Sequence, residues 1–235
     1  DKVFLVDAGH VTWTLIVDGD SVTIIDAGYP AHLEAVEDSV RAIGRAPQDI
    51  AAMLITHAHV DHIGCAAALS QKYSFPVYAS KAEVPHARRD YLNQATPGQV
   101  LGNLWRPGVL KWSLEIMREG AMDKVSVPEI KPFVSPDGPL DLPGNPIPVA
   151  LPGHTRGHSG FLLKESGVVV AGDSIITGHA TSRVKGPQFL LPMFHYDEPR
   201  AHETARRLAD LPADVMVTGH GPAYRGSLHD AVDEA

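Results

Sequence analysis

The chain is short of several things, and each shortage removes possibilities. It has one cysteine, Cys65, among 235 residues. No internal disulfide can form, and a reducing, cytoplasmic setting is expected. Cys65 lies in the small-residue run "GCAAAL" and reads as a buried core residue. Lys and Arg number 20 against 28 Asp and Glu, giving a formal charge of -8. The basic residues are scattered, which speaks against a nucleic-acid partner. No apolar run approaches the ~20 residues that cross a bilayer, and no basic segment followed by an apolar one opens the chain as a secretion signal would. No membrane partner is expected. The first residue is Asp1 rather than Met, from which a trimmed upstream segment is expected. There is no solenoid period and no low-complexity stretch.

What is present is a globular composition, 44% hydrophobic and 20% charged, in one domain over 1–235. The runs "VFLV", "WTLIV" and "VTIID" read as strands, the last two joined by the hairpin signal "DGDS". Leu33, Val36, Val40 and Ile43 recur at helical spacing, and Gly44 can close that helix. "AAMLIT" predicts a strand, "IGCAAALSQKY" a helix and "PVYAS" a strand. Residues 83–128 are helical in pattern, rich in Leu, Trp and Met, and broken at Pro107-Gly108. They read as a helical insertion or cap built from two short helices and a hinge. Strands return with "IPVAL", "GFLLKE" and "GVVVAGD", then a helix over roughly 199–211 and the strand "DVMVT". The halves echo each other: "VTIIDAG" leads through a helix to "MLITHAH", and "GVVVAGD" through a helix to "VMVTGHG".

The densest chemistry is "LITHAHVDHIG". If the chain stays extended past Thr56, His57 and His59 face one way and converge on one point. Asp61 and His62 follow the turn into a helix and can face a second point. Imidazole and carboxylate suit Zn, Mn, Fe or Co, and no thiolate is offered. Three later fragments share this character: His154 in "LPGHTRGHSG", Asp173 in "VVVAGDS" and His220 in "VMVTGHGP". Each is a polar group at the end of an apolar strand, flanked by glycine. His158, four positions after His154, reads as a supporting group rather than a ligand. "GHSG" lacks the frame of a serine nucleophile elbow.

The order His-x-His-x-Asp-His, Pro-Gly-His, Gly-Asp, Gly-His-Gly resembles the metallo-β-lactamase-fold hydrolases over nearly the whole chain. The resemblance implies an α+β fold, a four-layer αββα sandwich, with two divalent transition-metal ions, zinc first. It implies one ion on His57, His59 and His154, the other on Asp61, His62 and His220, and Asp173 bridging them. Asp26 matches a supporting aspartate. The implied reaction is attack by a hydroxide bridging the two metals, with Asp61 orienting it or passing a proton. Fold alone does not choose a substrate. Flavodiiron oxidoreductases resemble HxExDH, and zinc β-lactamases generally lack the bridging aspartate. Only a short tail follows "TGHGP", so the helical domain of glyoxalase II is expected to be missing. Lactonases of acyl-homoserine lactones fit best, although many carry a Tyr where this chain has Ile176. The expectation is a hydrolase of a lactone or thioester of a small molecule with an apolar acyl part. Alternatives are a phosphodiesterase, a mononuclear iron persulfide dioxygenase or a non-catalytic metal-binding scaffold. Trp105, Trp112, Ile176, His179, His195 and Tyr196 are candidates for the pocket wall. The insertion can equally serve as a lid, core packing or a homodimer face.

Overall fold

The computed structural model describes residues 2–235. The first sheet contains β1 (Lys2–Asp7), β2 (Thr12–Asp18), β3 (Ser21–Ile25), β4 (Ile50–Leu54), β5 (Val77–Ala79) and β6 (Lys131–Pro132), in that order. The β1–β2 and β2–β3 pairs are antiparallel, and the pairs from β3 to β6 are parallel. The second sheet contains β7 (Ile147–Ala150), β8 (Ser159–Leu163), β9 (Val168–Gly172), β10 (Val215–Thr218) and β11 (Tyr224–Arg225). Here β9–β10 is parallel and its neighbours are antiparallel. Both halves therefore hold an antiparallel pair leading into a parallel pair, which is the physical content of the sequence echo.

Side chains alternate between faces along each strand, and the alternation builds the layers. Ile16, Ile25 and Leu54 of the first sheet pack on Phe161, Leu163, Val170 and Val217 of the second. Their neighbours Leu15, Ile24 and Met53 face outward, onto Val36 and Val40 of α1 (Leu33–Ala42) and Leu69. Cys65 is buried in that same cluster. It lies between α2 (Val60–Ile63) and α3 (Ala66–Tyr73). On the other side, Leu162, Val169 and Met216 face Ala205 and Leu208. Four layers result, helix, sheet, sheet, helix. Burying each such aliphatic side chain contributes about 1.5–3 kcal/mol.

Residues 83–128 form the connection between the neighbouring parallel strands β5 and β6. They carry α4 (Val84–Arg88), α5 (Pro97–Gly102) and α6 (Val109–Arg118). Gly108 takes φ +89 just before α6, so the break at Pro107-Gly108 separates two helices. Val109 and Trp112 face inward, while Leu110, Leu114 and Met117 are exposed. The chain ends with α7 (Glu198–Ala205) and α8 (Leu228–Glu234) around β10 and β11. Among the described residues, no helix is long and apolar enough to cross a membrane.

Candidate metal centre

The strand ends gather the polar groups. Asp26 follows β3, Thr56 and His57 follow β4, Asp173 follows β9, His220 follows β10, and His154 lies in the turn from β7 to β8. At this rim the sheets touch directly: Ser159 N–H donates to Thr56 O (3.0 Å) and Thr12 N–H to Gly219 O (2.9 Å). A Cβ on Gly219 would lie 2.0 Å from Asp173 Oδ1, so only glycine lets this backbone pass the carboxylate.

Two triplets of ligand-type atoms converge, His57 with His59 and His154, and Asp61 with His62 and His220, and a third, His57 with His62 and Asp173, spans them. Within the first, His154 Nε2 lies 3.2 Å from His57 Nε2 and 3.0 Å from His59 Nδ1. Asp173 sits between the triplets. Its Oδ2 is 3.1 Å from His220 Nε2 and 3.4 Å from His154 Nε2, and its Oδ1 is 3.5 Å from His62 Nε2. All seven expected residues are thus brought together.

The outer hydrogen bonds fix the tautomers. Thr56 Oγ1 donates to Asp26 Oδ2 (2.7 Å), so it accepts from His57 Nδ1–H (3.0 Å) and leaves Nε2 bare. His62 Nδ1–H donates to Asp26 Oδ2 (2.8 Å), His59 Nε2–H to Asn93 O (2.7 Å) and His220 Nδ1–H to His10 O. His195 Nε2–H donates to Leu190 O (3.2 Å), so its Nδ1 accepts from His154 Nδ1–H at 3.4 Å. When neutral, five imidazoles are each held in the tautomer that aims a lone pair inward, the condition for ligating a cation. His62 Nε2 and Asp173 Oδ1 are buried without a hydrogen-bond partner. Leaving such atoms unsatisfied is costly, and a cation between them would satisfy both. The residues fit a metal centre.

Charge divides the two triplets. Burial, then neighbouring imidazoles, hold His57 and His154 well below the usual histidine range. His59 is pushed down to about 3, chiefly by burial. Burial also acts against protonation of His62, but Asp173, Asp61 and Asp26 outweigh it and raise that imidazole to about 10. His220 is raised likewise by Asp173 and Asp61 against burial. One point is neutral nitrogen; the other has its imidazoles raised by the carboxylates around them.

Asp26 has φ +65, which Asp tolerates better than most residues, and it also accepts from Thr56 N–H (2.8 Å). His158 Nε2 accepts from Asp173 N–H (3.0 Å), and burial holds this ring at about 4. His179 stands 5.0 Å from His220, ring to ring, and 5.5 Å from both Trp112 and Phe194. A cleft of about 190 Å³ opens beside it, lined by Asp7, His10, His179 and His220 among others.

Four pocket candidates fall elsewhere. Trp105 is 76% exposed in the link between α5 and α6, with its ring 4.9 Å from the Arg106 guanidinium. Ile176 is fully buried and its backbone pairs with Gln188, so it lines no open surface. His195 stands behind His154 as its hydrogen-bond partner. Tyr196 reaches the centre through its backbone N–H to His154 O (3.0 Å), while its ring packs on Arg156 at 4.7 Å. Sequence reasoning missed Thr56, the Asn93 and His10 carbonyls and Phe194. A backbone carbonyl leaves no mark in a sequence.

Known proteins agree with this architecture. The sequence pattern of the metallo-beta-lactamase superfamily matches residues 6–220. The probable metallo-hydrolase YflN of Bacillus subtilis (strain 168) is 27% identical over 216 residues, 88% of this chain and 77% of that protein. The hydroxyacylglutathione hydrolase GloC of Haemophilus influenzae is 25% identical over 186 residues, covering 75% of this chain and 72% of that one. TTHA1623, solved in a di-iron-bound form, superposes with a TM-score of 0.61 at 22% identity, over 96% of this chain and 94% of its own.

Proposed function

This chain belongs to the metallo-beta-lactamase superfamily, and from that premise we propose that it is a two-metal hydrolase cleaving a carboxylic ester bond. Lactones and thioesters come first. The observation that carries the reading is the set of five imidazoles locked with their lone pairs inward around Asp173. Bound divalent cations would supply Lewis acidity, acidifying water and polarising a substrate oxygen. His57, His59 and His154 would hold one, and Asp61, His62 and His220 the other, with Asp173 shared. Zinc suits these nitrogen and oxygen donors, as do Mn, Fe and Co.

The chain's own residues then have distinct tasks. Asp61 is the carboxylate most open to solvent at the centre, with 14% of its side chain exposed against 3% for Asp173. It can take a proton from the attacking water and return it to the leaving group. Asp26 holds His62, and Thr56 holds His57, so the ligands need not reorganise during turnover. Trp112, His179 and Phe194 form an aromatic wall beside His220, which favours a substrate with an apolar portion. The similarity to a protein named hydroxyacylglutathione hydrolase supports acyl rather than phosphodiester substrates.

The test is elemental analysis of the purified chain followed by a hydrolysis screen against lactones, thioesters, phosphodiesters and β-lactams. About two ions per chain and chelator-sensitive turnover of a lactone or thioester are expected. Fewer than about half an ion, with activity intact, overturns the metal reading.

A further inference from the structure

Glu83 lies outside every motif discussed so far, in the loop leading to α4, and it is fully buried. Its carboxylate accepts four hydrogen bonds. Oε1 takes Ala58 N–H (2.8 Å) and His86 Nδ1–H (2.7 Å). Oε2 takes the Thr155 hydroxyl (2.8 Å) and Gly157 N–H (2.9 Å). Ala58 lies between His57 and His59, and Thr155 and Gly157 follow His154. One carboxylate therefore grips both loops that carry the three-histidine point.

The grip is reinforced from each side. Ser80 Oγ donates to Gly157 O (2.6 Å). A Cβ at Gly157 would lie 2.3 Å from Glu83 N, so the two loops are in direct backbone contact. Arg89 Nη1 donates to Ala58 O (2.8 Å), so both polar backbone groups of Ala58 are bound. His86 Nε2 accepts from Asn93 N–H (3.1 Å), and Asn93 O receives His59 Nε2–H. A closed circuit runs from Glu83 through His86 and Asn93 to His59, and back through Ala58. Burial alone would raise the Glu83 carboxyl, but His86, Ala58 and Thr155 outweigh it and hold it below the usual range.

We propose that Glu83 is the positioning residue of the three-histidine metal position alone, whereas Asp26 orients His62 directly and reaches His57 only through the Thr56 hydroxyl. Asp26 orients His62 of the other position, and Glu83 has no contact with Asp61, His62 or His220 among its hydrogen bonds. Loosening Glu83 lets His57, His59 and His154 drift apart while the Asp61, His62 and His220 group stays formed. The chain becomes a one-ion protein. This rests on the two-metal reading above.

The substitution is Glu83→Gln, which keeps size but turns an amide N–H₂ toward donors it cannot accept from. Metal-free full-length chain is titrated with Zn²⁺ against a chromophoric chelator, and Co²⁺-loaded protein is read by absorption. Wild type should take two equivalents. Glu83→Gln should bind one of them about 10–100-fold more weakly, the usual effect of removing a ligand's outer partner. Its remaining Co²⁺ spectrum should match that of His59→Ala and differ from that of His220→Ala. Thr155→Val and His86→Phe remove single members of the network, and each should weaken the same equivalent, which keeps the test decisive if Glu83→Gln does not fold. Equal weakening of both equivalents, or of neither, overturns the proposal. A wild type that binds no second equivalent overturns the two-metal reading instead.

Discussion

Replacing Asp26 by Asn should change a tautomer, and the consequence can be followed atom by atom. Asn is close in size and tolerates the φ of +65 found here. Its remaining oxygen can keep Thr56 N–H. Its amide then faces the Thr56 hydroxyl and His62 Nδ1, both now donors to Asp26 Oδ2. The hydroxyl can rotate, accept from the amide and still accept from His57 Nδ1–H, so His57 keeps its bare Nε2. His62 has no such freedom. To avoid two facing donors it must carry its proton on Nε2, the atom 3.5 Å from Asp173 Oδ1. That occupies the lone pair a cation needs. The expected cost is about 10–100-fold in affinity at the Asp61, His62 and His220 position, equivalent to about 1.4–2.7 kcal/mol. The three-histidine position should change by less than about threefold, within ordinary mutational scatter. Zn²⁺ titration gives the affinities, and nitrogen chemical shifts of His62 in the metal-free chain, read with the ring deprotonated above about pH 10, give the tautomer. If His62 keeps Nδ1–H, or if both positions weaken alike, the tautomer argument fails.

Three other outcomes are expected. Asp61→Asn should lower kcat by about 100-fold or more, the scale of lost proton transfer, with a milder loss of metal; unchanged turnover removes Asp61 from the chemistry. Trp112→Leu should flatten the gain in kcat/KM per added CH₂, about fourfold at most from 0.8 kcal/mol, across a series of lactones or esters. Trp105→Ala, exposed as it is, should leave that trend unchanged; the reverse pattern would move the apolar wall to the other end of the insertion. Glu37 is held down to about 2, first by its hydrogen bond from Lys72 and also by Arg41. Its folded value lies below its unfolded one, so its stabilisation is present above the ordinary range and is lost as pH falls from about 4.5 toward about 2. The Tm difference between wild type and Glu37→Gln should therefore shrink between about pH 5 and about pH 3; a constant difference would show that packing, not charge, is at work.

The sequence carried the strands and the gathered ligand residues because both depend on local pattern. β-branched runs ending in His or Asp mark a strand end wherever the partner strands lie. What holds those residues in place was not legible. Thr56 is 30 positions from Asp26, and Glu83 is 74 from Gly157. The first pair exists only once β3 and β4 have paired, the second only after the sheets have stacked. Glu83 also opens the segment read as an insertion, which hid its role behind a helical pattern. Its position after Asp173 makes His195 a pocket-wall candidate, and only the Leu190 carbonyl reveals its proton and hence its duty to His154. The break between Trp105 and Trp112 at Pro107-Gly108 is legible in the sequence; that Trp112 turns inward while Trp105 stays exposed is not.

The ligand residues are divided between the two sheets. His57, His59, Asp61 and His62 follow β4 of the first; His154, Asp173 and His220 belong to the second. A cation at either position would join residues of both, acting as a removable cross-link in a chain with no disulfide. At a free-ion concentration about a thousand times Kd, each such link adds about 4 kcal/mol to the folded state. For a chain of this size that is roughly 8–16 °C in Tm, and chelation should lower the melting point accordingly. A melting point unmoved by complete metal removal would mean the sandwich holds without help. Otherwise metal supply sets how long each molecule survives as well as how fast it works: under starvation the sheets part more readily, and proteases reach the open form first.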